Sequence, residues 1–321
     1  MVEERVGSTS LATLAGMPSP ERDAILQLLR SLPRHEPTRE NIASLRSFLD
    51  AFVATPPRET RAHEVDAGGV RGEWLRIGDA DPDRRILYLH GGAYIAGSNL
   101  SHRALAARIG RAAGASVLLV SYRLAPESPH PAAVDDAVAA LRWMQREGPD
   151  GPQPPRHAFV VGDSAGGGLA LATALAVRDA GGRLPDALVT LSAWTDLAMT
   201  GESVRSRAAV DPMIDVRHMH PAAALYLGDH AARSPLASPL YAELAGLPPI
   251  YMQVGDEEVL LDDTTRFAER ASGAGVEVEV EIWPGMFHVF QAFAGALPEG
   301  REAIARIGAY LRRRAETPPE P

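Results

Sequence analysis

A serine flanked by small residues, Gly162-Asp163-Ser164-Ala165-Gly166, closes the apolar run Phe159–Gly162 and opens a stretch rich in alanine and leucine. This is the G-x-S-x-G pattern of a sharp strand-to-helix turn, where the bend exposes the hydroxyl and neighbouring side chains must be small. A serine so placed is suited to attack an acyl carbon. Amides at the start of the following helix favour the negative charge that then develops. The pentapeptide alone fits a plain tight turn equally well. A second turn, His90-Gly91-Gly92-Ala93, follows the apolar run Ile86–Leu89. Its small residues leave backbone N–H groups free to point inward. Gly91 and Gly92, with the N–H of Ala165, are the expected oxyanion donors, and His90 is expected to brace the loop.

A serine in this setting needs a base and an acid further along the chain, in the order serine, acid, histidine. Four histidines follow Ser164: His218, His220, His230 and His288. The first three fall in a long segment between two strands. His288 comes directly after the last predicted strand, in Trp283-Pro284-Gly285-Met286-Phe287-His288, and is the candidate base. The acid should follow the preceding strand, Ile250–Val254, which runs into Gly255-Asp256-Glu257-Glu258-Val259-Leu260-Leu261-Asp262-Asp263. One carboxylate there must fix the imidazole tautomer. Residue type does not choose among the five, and Asp262 is also a candidate cap for the next helix.

The elements that must position these groups are legible from periodicity. Ser19-Pro20 reads as a helix start, followed by a stripe of Ile25, Leu28, Leu29 and Leu32. A second helix carries Ile42, Leu45, Leu49 and Phe52 and ends at Pro56-Pro57. From about residue 63 the texture changes. His63–Val65 and Glu73–Ile77 predict a hairpin. Ile86–Leu89, Ser116–Tyr122, Phe159–Gly162, Ala187–Ser192, Ile250–Val254 and Val276–Trp283 predict strands. Helical stretches at 102–113, 131–147, 165–180 and 262–273 alternate with them. Such alternation implies an α/β fold with a mostly parallel central sheet covered on both faces. The segment 195–247 breaks the pattern and reads as a lid or a packed helical excursion. The tail Thr317–Pro321 is expected to be unstructured.

Composition removes other chemistries. The chain of 321 residues has no cysteine, and all 32 of its basic residues are arginine. Thiolate nucleophiles, Schiff bases, Ser–Lys dyads and P-loop lysines are therefore excluded. A net charge of −9 argues against a nucleic-acid partner. No run approaches the roughly 18 apolar residues of a membrane span, and Met1–Ser10 lacks a signal-peptide core, so the expected location is cytoplasmic. His218-Met219-His220 does not make a metal site, because its histidines point to different sides of a helix. No dinucleotide fingerprint is present, and no cofactor is expected.

Taken together, these motifs resemble one family. His90-Gly91-Gly92-Ala93-Tyr94, Tyr122-Arg123-Leu124-Ala125-Pro126-Glu127, Gly162-Asp163-Ser164-Ala165-Gly166-Gly167, Asp211-Pro212-Met213-Ile214 and Phe287-His288 match, in order, the hormone-sensitive-lipase-like (bacterial family IV) esterases and lipases of the α/β-hydrolase fold. The resemblance covers about residues 60–315. It implies a serine carboxylesterase acting on small esters with short acyl chains, lactones or aryl esters among them. It implies a catalytic set of Ser164, Glu258 and His288. Glu258 comes from laying the family's Asp-Pro-Leu-x-Asp on the acidic run so that its last Asp falls on Asp262; Asp256 is the second choice. It further implies a helical cap from residues 1–55 and an insertion at about 195–230, on a catalytic domain spanning 56–321, and it allows a homodimer through an edge strand or the C-terminal helix. The family usually has a third glycine where this chain has Ala93. Two rival readings share the fold: a non-catalytic small-molecule receptor, and an amidase or peptidase with the same triad.

Overall fold

The computed structural model describes residues 10–13, 18–51 and 54–316. Its strands are β1 (Ser10–Thr13), β2 (Thr60–Asp66), β3 (Arg71–Ile77), β4 (Asp81–Leu89), β5 (Ala115–Val120), β6 (Glu147–Gly148), β7 (Gly151–Pro152), β8 (His157–Asp163), β9 (Ala187–Leu191), β10 (Ile250–Gly255) and β11 (Val278–Trp283). Its helices are α1 (Pro20–Ser31), α2 (Ile42–Ala51), α3 (Asn99–Ala113), α4 (Ala132–Met144), α5 (Ala165–Asp179), α6 (Ser203–Ser206), α7 (Val216–Leu227), α8 (Leu261–Gly273) and α9 (Pro298–Glu316). Apart from the small β6–β7 hairpin, the strands form one sheet in the order β1-β11-β10-β9-β8-β4-β5-β3-β2. Only the β2–β3 and β3–β5 pairings are antiparallel. This is the α/β-hydrolase architecture, with the sheet flanked by helices on both faces.

Strand alternation explains the two faces, because successive side chains point to opposite sides. On β4, Leu87 and Leu89 join one core with Leu118, Val120, Val160 and Leu188 under α4 and α5. Ile86 and Tyr88 join the other, with Val117, Leu119, Phe159 and Val161 under α3 and α9. The central strands are buried throughout, as the near-continuous apolar runs predict. Every strand predicted from periodicity is present, with bounds moved by a few residues. The predicted hairpin is the full β2–β3 pair.

Three expectations change. The α1 stripe is Ile25, Leu26 and Leu29, whereas Leu28 is 52% exposed. The face is chosen by its partners Trp283, Met286, Phe287 and Phe290, which no local pattern reveals. Strand β1, parallel to β11, carries too short an apolar signal to be seen. Asp262 does not cap α8; it accepts from Ser203 N at 2.9 Å, at the start of α6. Phe52 and the tail Thr317–Pro321 lie outside the described residues. Among the described residues no helix is long and apolar enough to cross a membrane.

Candidate active site

Ser164 sits between β8 and α5 with φ 54° and ψ −124°. A non-glycine residue held in a sparsely populated backbone region costs about 1–3 kcal/mol, so its surroundings must hold it there. They do. Ser164 N donates to Leu191 O at 2.8 Å, and Ser164 O accepts from Gly167, Gly168 and Trp194 N–H at 3.0–3.1 Å. The flanking glycines are forced by contact: a Cβ on Gly162 would lie 2.1 Å from Gly166 O, and one on Gly166 2.0 Å from Leu89 O. The pentapeptide is thus a consequence of how closely β4, β8 and α5 converge.

His288 arrives from the turn after β11. Its Nε2 lies 2.9 Å from Ser164 Oγ, and its Nδ1 lies 2.8 Å from Glu258 Oε2. A carboxylate accepts, so Nδ1 carries the proton and Nε2 is left as an acceptor for the hydroxyl. Glu258 is fully buried, and its Oε1 accepts from Ser192 Oγ and Gly255 N, both at 2.7 Å. Ser192 Oγ also accepts from Val289 N at 3.0 Å, tying the backbone beside the imidazole to the acid. Asp211 Oδ2 accepts from Val259 N at 3.0 Å and so fixes the residue after Glu258. Burial on its own would lower the His288 pKa. The hydrogen bond and charge of Glu258, with the charges of Asp211 and Asp163, outweigh burial and raise it above 6.5.

The other four carboxylates of the acidic run are all engaged elsewhere. Asp256 accepts from Gly285 N at 2.6 Å and holds the turn before His288. Glu257 pairs with Arg22 of α1. Asp262 holds α6, and Asp263 accepts from Thr195 and Asp196 N–H at 2.7 and 2.8 Å. Burial and the neighbouring Asp196 push the Asp263 carboxyl up to about 8, against the pull of those two amides.

The glycine turn departs from expectation at one residue. The Gly91 N–H donates to Asp163 Oδ1 at 3.1 Å, so it is already engaged and unavailable to an oxyanion. The amides without a protein partner among the described residues are those of Gly92, Ala93 and Ala165. Asp163 also accepts from Tyr88 OH at 2.7 Å and pairs with His102 Nε2 at 3.4 Å. Burial would raise its pKa, but His102 and Tyr88 reverse that and lower it. His102 is raised in turn, Asp163 outweighing the burial that opposes it. His90 does brace the loop: its Nδ1–H donates to Gly91 O at 2.8 Å and its ring stacks on Tyr122 at 4.3 Å. Burial, with the neighbouring His102, pushes its pKa down to about 3. Ser192 and His102 carried no sequence signal, since each reaches the site from a strand end or helix far from any motif. Asp163 and Asp211 lay inside quoted motifs, without a visible role.

A family profile described as alpha/beta hydrolase fold matches residues 86–292. The acetyl-hydrolase of Streptomyces hygroscopicus is 45% identical over 303 residues, covering 92% of this chain and 97% of its own. The carboxylesterase NlhH of Mycobacterium tuberculosis is 35% identical over 312 residues, covering 92% and 96%. An esterase of the bacterial hormone-sensitive lipase family superposes with a TM-score of 0.85 at 43% identity, over 94% of this chain and all of its own. The esterase EstE5, soaked with p-nitrophenyl butyrate, superposes at 0.87 with 39% identity, over 93% and 100%. Fold, ordered motifs and relatives agree, and the chain belongs to the hormone-sensitive-lipase-like (bacterial family IV) carboxylic ester hydrolases of the α/β-hydrolase fold.

Proposed function

We propose that the protein cleaves small esters with short acyl chains through an acyl-enzyme on Ser164. The observation that carries this reading is the unbroken hydrogen-bond chain from Ser164 Oγ through His288 to Glu258. His288 Nε2 takes the hydroxyl proton as Oγ bonds to the ester carbonyl carbon. Charge moves to the carbonyl oxygen, where the N–H groups of Gly92, Ala93 and Ala165 stabilise it. Collapse of the tetrahedral intermediate breaks the bond to the leaving oxygen, which takes the proton from His288. Water then repeats the sequence and frees the acid. Gly91 acts indirectly, anchoring the turn on Asp163. The N-terminal helices and the α6–α7 insertion act as a cap in this reading. Support for a short acyl chain comes from the aromatic rings crowded beside the serine turn: a Cβ on Gly168 would lie 2.8 Å from Tyr94 OH and 2.2 Å from Trp194 O. The name of the Streptomyces relative, acetyl-hydrolase, points the same way.

Purified protein is expected to release p-nitrophenol from acetyl and butyryl esters, more slowly from long-chain esters, and little amine from matched anilides. Ser164→Ala should lower kcat by about 10⁴-fold or more. Undiminished hydrolysis by that variant would remove the proposed nucleophile, and anilides cleaved in preference to esters would make the enzyme an amidase.

A further inference from the structure

The segment between β9 and β10 touches the glycine turn through one aromatic ring. Tyr226 of α7 lies face to face with Tyr94, with centroids 3.8 Å apart and planes 7° apart. Both side chains are essentially fully buried.

Tyr94 holds an unusual place. Gly92, Ala93 and Tyr94 have φ of 119°, 53° and 63° in succession. Two non-glycine residues in a row therefore adopt a left-handed backbone. At about 1–3 kcal/mol each, such conformations persist only where the surroundings over-determine them. Part of the support is backbone: Ile95 and Ala96 N–H close onto Gly92 O, and Tyr94 O accepts from Ala125 N at 2.9 Å. The rest comes from the ring. Tyr94 is tilted against Trp194 at 6.5 Å and stacked on Tyr226.

Tyr226 is itself held by a different part of the chain. Its carbonyl accepts from His130 N at 2.7 Å. Its hydroxyl lies 3.2 Å from His130 Nδ1, and the His130 ring meets it edge-on at 5.5 Å. The ring thus joins α7, the run from Ala125 to His130 and the glycine turn at one point.

We infer that Tyr226 is a positioning residue for hydrolysis: its stack on Tyr94 holds the left-handed turn in which the Gly92 and Ala93 amides are aimed. The inference rests on the assignment of those amides as oxyanion donors. An amide rotated away from the oxyanion forfeits its contribution to the transition state while leaving ester binding nearly intact. Removal of one such donor elsewhere costs about 10²–10³-fold in kcat, and partial misaim should cost less.

The test compares Tyr226→Phe, which keeps the ring, with Tyr226→Leu, which removes it, at equal active-site concentration. Each is assayed on p-nitrophenyl butyrate and on the corresponding thionoester, whose sulfur accepts hydrogen bonds poorly. Tyr226→Phe should keep kcat within about threefold and keep the wild-type preference for the oxygen ester. Tyr226→Leu should lose about 10-fold or more in kcat with little change in KM, and its ester-to-thionoester ratio should fall. Tyr226→Met serves the same comparison if the leucine variant does not fold. A ringless variant with wild-type kcat and an unchanged ratio overturns the inference, as does a phenylalanine variant as impaired as the leucine one. Ser164→Ala is assayed alongside. If it is inactive while Tyr226→Leu matches wild type, this inference alone fails; if it is active, the underlying reading fails.

Discussion

Glu258 accepts three hydrogens inside the protein, from His288 Nδ1, Ser192 Oγ and Gly255 N. An amide in its place would turn an NH₂ toward one of these donors, either clashing with it or flipping the imidazole tautomer. Glu258→Gln should therefore reduce kcat by about 10³–10⁴-fold, the scale seen when a triad carboxylate becomes an amide. Asp256→Asn, which touches the turn at Gly285, should stay within about tenfold of wild type. The reverse ranking in a side-by-side assay would move the acid to Asp256. The raised His288 pKa fixes the sign of the pH dependence. The base works only when neutral, so kcat/KM should rise with pH through one ionisation above 6.5 and then level. For stability the sign is opposite. A raised imidazole pKa favours the folded state below the ordinary value, and that contribution fades as pH climbs through the raised one. A kcat/KM that falls across the same range would contradict the assignment of His288 as base.

At the scale of elements, the serine turn works because three backbones meet with no room for side chains. Gly166→Ala would drive a methyl to within 2.0 Å of Leu89 O, separating β4 and its glycine turn from α5. Overpacking of this kind costs about 1–3 kcal/mol, and here the obstacle is backbone rather than a flexible side chain. Gly273→Ala, at the end of α8, meets nothing within 4 Å. It should be neutral or stabilising by up to about 1 kcal/mol. Thermal unfolding of the two variants should show a lowered Tm and lost esterase activity only in the first; equal Tm values would mean the close approach does not hold the site. The strands and helices that form this meeting point were legible in the sequence, since buried parallel strands and amphipathic helices leave regular apolar patterns. Helix α1 was legible in place but not in facing. Its burial of Leu26 rather than Leu28 depends on Trp283 and Met286, more than 250 residues away.

For the whole molecule, three loops bring together residues that lie up to about 200 positions apart in sequence: the glycine turn after β4, the serine turn after β8 and the His288 turn after β11. Chain order gave the serine and the histidine. The resemblance, not the residue types, chose Glu258 from its acidic run, and the hydrogen bonds of the fold agree with that choice. The donor set was not fully legible. Gly91 is drawn away by Asp163, a contact between two motifs that only the folded sheet makes. The cap, too, is written in no motif, and its coupling to the glycine turn through Tyr226 emerges only from packing. The most direct test of the account is to treat the protein with a fluorophosphonate and map the adduct by peptide mass spectrometry. The account predicts one stoichiometric adduct, on Ser164, formed far more slowly in His288→Ala. An adduct on another residue, or ester hydrolysis that continues in fully labelled protein, would contradict it.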